Sequence, residues 1–214
     1  IRVFFYVVKA VTSNTDVALE RLFITGVSPI TMDDVTSGFN IGTNISTLPQ
    51  FNNIIGFSED EVREMITYYK DEDALPEDVT VDGLVEIMKP WYDNYCFSED
   101  RLEERMFNSD MALYFLNSYL QLGKAPKMMV DNNIRTDYGK LRHLVQIDKT
   151  FGANASVIQQ IIAEGSVTAQ IATSFPAEKM ADTENFKSLL FYFGMLSIQG
   201  TYQGDTVLRI PNLT

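Results

Sequence analysis

The side chains best equipped for chemistry here are hydroxyls and scattered charges. Thr25 and Ser28 flank Gly26 at the polar end of the apolar run Leu22-Phe23-Ile24, which Pro29 closes. A run of that length, bounded by Gly and Pro, reads as a buried strand ending in a loop. In open α/β sheets ligands sit at the carboxyl ends of strands, so a hydroxyl there can meet one. The same hydroxyls can equally cap the next turn. Arg135 is the cation of most interest, because a guanidinium can stabilise charge developing on a transferring phosphoryl group. It can also simply pair with Asp137 or Asp131. Asp33 and Asp34, side by side before Thr36-Ser37-Gly38, suit either a phosphate-bound magnesium ion or a solvated turn.

Other chemistries are excluded by counting. Cys96 is the single cysteine and His143 the single histidine among 214 residues. No internal disulfide, cysteine-based zinc site or histidine-pair metal site can be built from them. One cysteine fits a reducing cytoplasm. A formal net charge of −12 repels phosphate backbones, and Lys and Arg are scattered apart from Lys140 and Arg142, so nucleic-acid binding is not expected. No apolar run approaches the roughly 20 residues of a membrane span. Residues 1–11 also lack the basic start and cleavage site of a signal peptide. No G-x-x-x-x-G-K-[S/T] occurs, since Gly123-Lys124 and Gly139-Lys140 continue with Ala125 and Leu141. This sequence therefore does not encode a complete P-loop ATPase.

The elements that must position these groups follow from periodicity. Phe4, Val7, Val8 and Val11 share one helical face, ahead of the strand at 22–24. Residues 32–50 read as a long polar loop. Ser58 and Glu61 form a capping box, with Val62, Met65, Ile66 and Tyr69 on the buried face of the helix they open. A second helix runs from about 81 to 89, with Val81, Leu84, Val85 and Met88 inward and Pro90 near its end. Trp91-Tyr92-Asp93-Asn94-Tyr95 surrounds a turn-forming Asp-Asn pair with aromatics, either a structural core or a cradle for a ring. Asn108 caps the next helix, burying Ala112, Phe115, Leu116, Tyr119 and Leu120, and Gly123 ends it. Val157, Ile158, Ile161 and Ile162 mark another helix, closed by Gly165. Strand, helix and hairpin then follow. Helix 185–193 is expected to pack on a hairpin of 195–199 with 206–210, with Leu189, Phe193, Leu196 and Ile210 in its core.

Several of these stretches occur in a telling order. They are Arg21-Leu22-Phe23-Ile24-Thr25-Gly26, Asn53-Ile54-Ile55-Gly56-Phe57-Ser58, Trp91-Tyr92-Asp93-Asn94-Tyr95-Cys96-Phe97, Phe107-Asn108-Ser109-Asp110, Asn133-Ile134-Arg135 and Leu189-Leu190-Phe191-Tyr192-Phe193-Gly194. In that order the chain resembles the AAA-ATPase-like family of bacterial proteins, in which an ATPase domain commonly precedes a PD-(D/E)XK nuclease-like domain. The resemblance runs from about residue 1 to 211 and lacks the family's phosphate-binding loop and acidic metal-coordinating strand. Asn94 stands where the family often has glycine. The chain does not open on Met, so an upstream part is expected to have been removed or left out.

The resemblance implies a mainly α fold with a small β component. Residues 1–56 would be the remnant of an α/β P-loop ATPase core, 57–165 a helical lid and 166–214 a winged-helix-like unit. It implies that Thr25 is the sensor hydroxyl and Arg135 the lid cation. ATP and magnesium would enter only with the missing N-terminal ATPase half, and a nuclease-like domain is the other expected partner. The alternative is a non-enzymatic interaction (adaptor) module. DNA binding through the terminal hairpin has only Arg209 as a cation to support it.

Overall fold

A computed structural model of the chain describes Val7 and residues 21–26, 30–31, 43–131, 152–180 and 182–214. Five helices are described end to end: α1 (Glu59–Asp71), α2 (Val81–Tyr92), α3 (Ser109–Leu122), α4 (Ala153–Glu164) and α5 (Thr183–Tyr192). The strands are β1 (Ile30–Thr31), β2 (Ser166–Ala169), β3 (Phe175–Pro176), β4 (Ser197–Tyr202) and β5 (Asp205–Arg209). The mainly helical class with a small β part is thus observed.

Local sequence signals set the first three helices. Ser58 accepts from the Glu61 N–H while the Glu61 carboxylate accepts from Ser58, a complete capping box. Thr80 caps α2, and Asn108 caps α3, which ends on left-handed Gly123. The apolar faces of these helices meet in one core. Val62 and Ile66 of α1, Leu84, Val85 and Met88 of α2, and Met111, Phe115 and Leu116 of α3 are all buried in it. Contrary to the sequence reading, α2 continues through Pro90 to Tyr92. A proline near the last turn forfeits one helical bond, and the Tyr92 ring, fully buried against Phe115, holds the turn in place.

A second core lies between α4, α5 and a three-stranded antiparallel sheet of order β2-β5-β4. Ile198 and Val167 sit opposite Leu208 on the central strand, and Phe186 and Leu190 of α5 cover that face. The expected helix-on-hairpin pairing is present, with Leu189 and Leu196 buried, but Phe193 is only half-buried and Ile210 is exposed. The α4 residues Val157 and Ile161 belong to this core. The division expected at residue 165 therefore runs through a stretch whose two sides share one core. Ile162, on the same apolar stripe, points outward.

The N-terminal expectation is corrected. Residues 21–26 form no strand, and Leu22, Phe23 and Ile24 are exposed. Parallel pairing occurs instead a few residues later, where Ile30 and Thr31 lie opposite Phe175 and Pro176. A strand needs a partner edge as well as apolar letters. Among the described residues none pairs with 21–26.

The two cores are joined through the residues that end α2. Tyr92 O accepts from Asn108 N, Asp93 O from the Asn212 amide and Asn94 O from the Ser197 hydroxyl. Pro90 O accepts from Leu213 N, and Trp91 O from the Thr214 hydroxyl. Five consecutive carbonyls, freed where a helix stops, thus find donors on α3, β4 and the tail after β5. Asn94 takes the left-handed conformation (φ 77°) that lets the chain turn here.

Candidate functional site

The turn at Asn94 delivers Tyr95, Cys96 and Phe97 into the seam between the cores. Tyr95 exchanges backbone hydrogen bonds with Met106 (3.1 and 2.8 Å), while Cys96 O accepts from Ile198 N at 3.2 Å. Phe57 is bridged to Phe107 in the same way. Gly56, just before it, has φ 97°, and an added Cβ would lie 2.8 Å from Phe107 O. Only glycine fits that approach.

Asn52 fixes the seam. It is fully buried, and its Oδ1 accepts from Phe97 N (2.9 Å) and Ser98 N (3.1 Å) while Nδ2 donates to Glu104 O (3.0 Å). The Cys96 thiol lies within a buried set of oxygens, donating to Ser98 O at 3.2 Å. Burial pushes that thiol's pKa up, away from the thiolate form a nucleophile needs. Cys96 is therefore structural.

Beside this seam opens a cavity of about 360 Å³. Phe97, Phe107, Phe191 and Tyr192 wall it, and Thr25 and Gly26 line it from the N-terminal side. Exposed Phe23, Ile24, Ile54 and Ile55 also border it. None of its described lining residues is charged. Thr25 is exposed at this cavity rather than placed at a strand end. The sequence located the aromatic stretch 91–97 but not the cavity, whose walls come from segments far apart in the chain.

The other site residues named from sequence fall differently. Arg135 and its possible partner Asp137 lie outside the described residues, as do Asp33, Asp34, Lys140, Arg142 and His143. The aromatic turn serves as structure at Tyr92, whose hydroxyl donates to Met129 O at 2.7 Å and whose pKa burial pushes up. Among the described residues no cluster of His, Cys, Asp or Glu suits a metal ion. Nor is any helix long and apolar enough to cross a membrane.

Asp93 is the perturbed carboxylate of the seam. Burial raises its pKa from the ordinary 3.8, and the hydrogen bond from Asn94 N (2.6 Å) offsets part of that rise. A carboxyl whose pKa is higher folded than unfolded supports the fold below its unfolded value. That support is lost as pH rises through the folded value. Asp93→Asn, which keeps the acceptor for Asn94 N, is therefore expected to stabilise the chain at neutral pH. The advantage should shrink as pH falls towards 3.8. Urea denaturation at both pH values checks the sign.

No family model, curated protein or solved structure matches this chain.

Proposed function

We propose that this chain is the sensor, helical-lid and winged-helix portion of an AAA-like ATPase, not catalytically competent alone. The observation that carries the reading is the order of elements. A three-helix unit is followed by α4, β2, the two-residue β3, α5 and the β4–β5 hairpin, with sheet order β2-β5-β4. The first strand of this sheet pairs with the last and a helix packs across them, which supports reading 166–214 as the winged-helix-like unit that the resemblance implies.

In this reading Thr25 is the sensor hydroxyl and Arg135 the lid cation. Both act on ATP and magnesium held by a segment other than this chain. The lid and winged helix would report nucleotide state by moving. Isothermal titration of the 214-residue chain with magnesium-ATP is expected to show no binding, because phosphates need a cradle of backbone N–H groups and a lysine. A micromolar dissociation constant overturns this. In a protein joining the chain to a phosphate-loop segment, Thr25→Val should lower turnover and leave affinity unchanged. Equal turnover removes Thr25 from the mechanism.

A second reading, a non-enzymatic adaptor, is favoured by the exposed Phe23, Ile24, Ile54 and Ile55 around the cavity. Exposed apolar residues grouped in this way mark interaction sites more often than singly scattered ones do. Failure of the joined protein to hydrolyse ATP would favour the adaptor.

A further inference from the structure

We propose that the cavity at the seam is a binding site for an uncharged aromatic ring of about two fused cycles. The inference does not depend on the ATPase reading, because it concerns only the walls of the cavity. Size comes first. Ligand sites begin at roughly 300 Å³, and an apolar cavity of about 150 Å³ already holds benzene. A volume of about 360 Å³ leaves room for a bicyclic guest.

The walls select the class. Four of the lining rings form a connected series: Tyr95 stacks with Phe97 (centroids 6.4 Å, 16° between planes), Phe97 meets Phe191 edge to face (6.4 Å, 62°), and Phe191 meets Tyr192 likewise (5.2 Å, 68°). An aromatic guest extends that series at the same spacings and gains the ring–ring electrostatics that a saturated guest of equal size lacks. A phosphate or carboxylate on the guest would lose its hydration and find no cation among the described lining residues. Hydroxyls of Thr25, Ser46 and Ser109 leave room for one neutral polar substituent.

The fold keeps the aromatic walls in place without the guest. Asn52 pins Phe97, the bridge to Phe57 pins Phe107, and Phe191 sits in the second core. A site whose walls are already ordered does not have to order them on binding.

A matched set of probes tests this on the full chain: 2-naphthol, its saturated analogue decahydro-2-naphthol, and 2-naphthyl phosphate. Amide chemical shifts followed through each titration report both affinity and place. The expected result is saturable binding of 2-naphthol, with shifts centred on residues 95–97, 107–109 and 191–194, about tenfold tighter than either analogue. Gly26→Leu should weaken 2-naphthol binding by about tenfold. A Cβ at Gly26 meets no atom within 4 Å, so the new side chain occupies open space rather than forcing the fold. Should that variant fail to fold, Thr25→Phe at an exposed position lining the same cavity obstructs it equally. The proposal is overturned by absence of saturation or by equal affinity for the saturated analogue or the phosphate. Shifts centred elsewhere, or undiminished binding in the folded blocking variant, overturn it too.

Discussion

Asn52→Leu is expected to lower the stability of the chain by about 3–5 kcal/mol, as a buried amide that satisfies several backbone groups at once should. Its Oδ1 holds the N–H groups of Phe97 and Ser98, and its Nδ2 holds the Glu104 carbonyl. Leucine has similar bulk and no polar atom. The three backbone groups would then be left in a site where Asn52, Cys96 and Ser98 are all buried. Each buried group without a partner costs about 1–3 kcal/mol, and relaxation recovers part of the sum. The urea midpoint measures the loss, and an unchanged slope with denaturant shows that the native state stays compact. A loss under about 1 kcal/mol would mean that water replaces the amide. Asn52→Asp adds a sharper comparison: it keeps an acceptor for Phe97 and Ser98, loses the donor to Glu104 and buries a charge. It should also destabilise, and more at neutral than at acid pH.

What was legible in the sequence is what short-range physics decides. Ser58 with Glu61, Asn108 and Gly123 act within one helical turn of the backbone groups they satisfy, and each marks the boundary it was expected to mark. Asn94 adopts the left-handed turn that its short amide permits. The stripes on α1, α2 and α3 are buried because each helix needs one covered face. Asn52 was not legible. Its partners at 97, 98 and 104 are 45 to 52 residues away, and an asparagine pair between Pro49 and Gly56 looks like turn sequence. The run Leu22-Phe23-Ile24 misled for the same reason in reverse, since whether it becomes a strand depends on an edge elsewhere in space. Ile162 shows the limit of a stripe: it shares spacing with Ile158 and Ile161, yet is 76% exposed. The cavity is the extreme case, because residues from five separated stretches line it.

The C-terminal hairpin sets sequence reading and structure against each other most directly. Apolar letters at 206–210 place Ile210 in the core. In the structure β5 ends at Arg209, Leu208 is fully buried and Ile210 is 46% exposed. The reason lies in where the central strand stops. Thr206 and Leu208 point inward, with Leu208 between Val167 of β2 and Ile198 of β4. Past Arg209 the chain leaves the sheet so that Asn212 and Leu213 can reach the carbonyls ending α2. Leu208→Ala should therefore cost about 2–5 kcal/mol, the transfer term plus a cavity under Phe186 and Leu190. Ile210→Ala should cost less than about 1 kcal/mol, since a half-exposed side chain loses little burial. Thermal or urea unfolding of the two variants side by side decides. The reverse order would mean that β5 runs on past Arg209 and that Ile210, which shares the face of Leu208, packs in the core in its place.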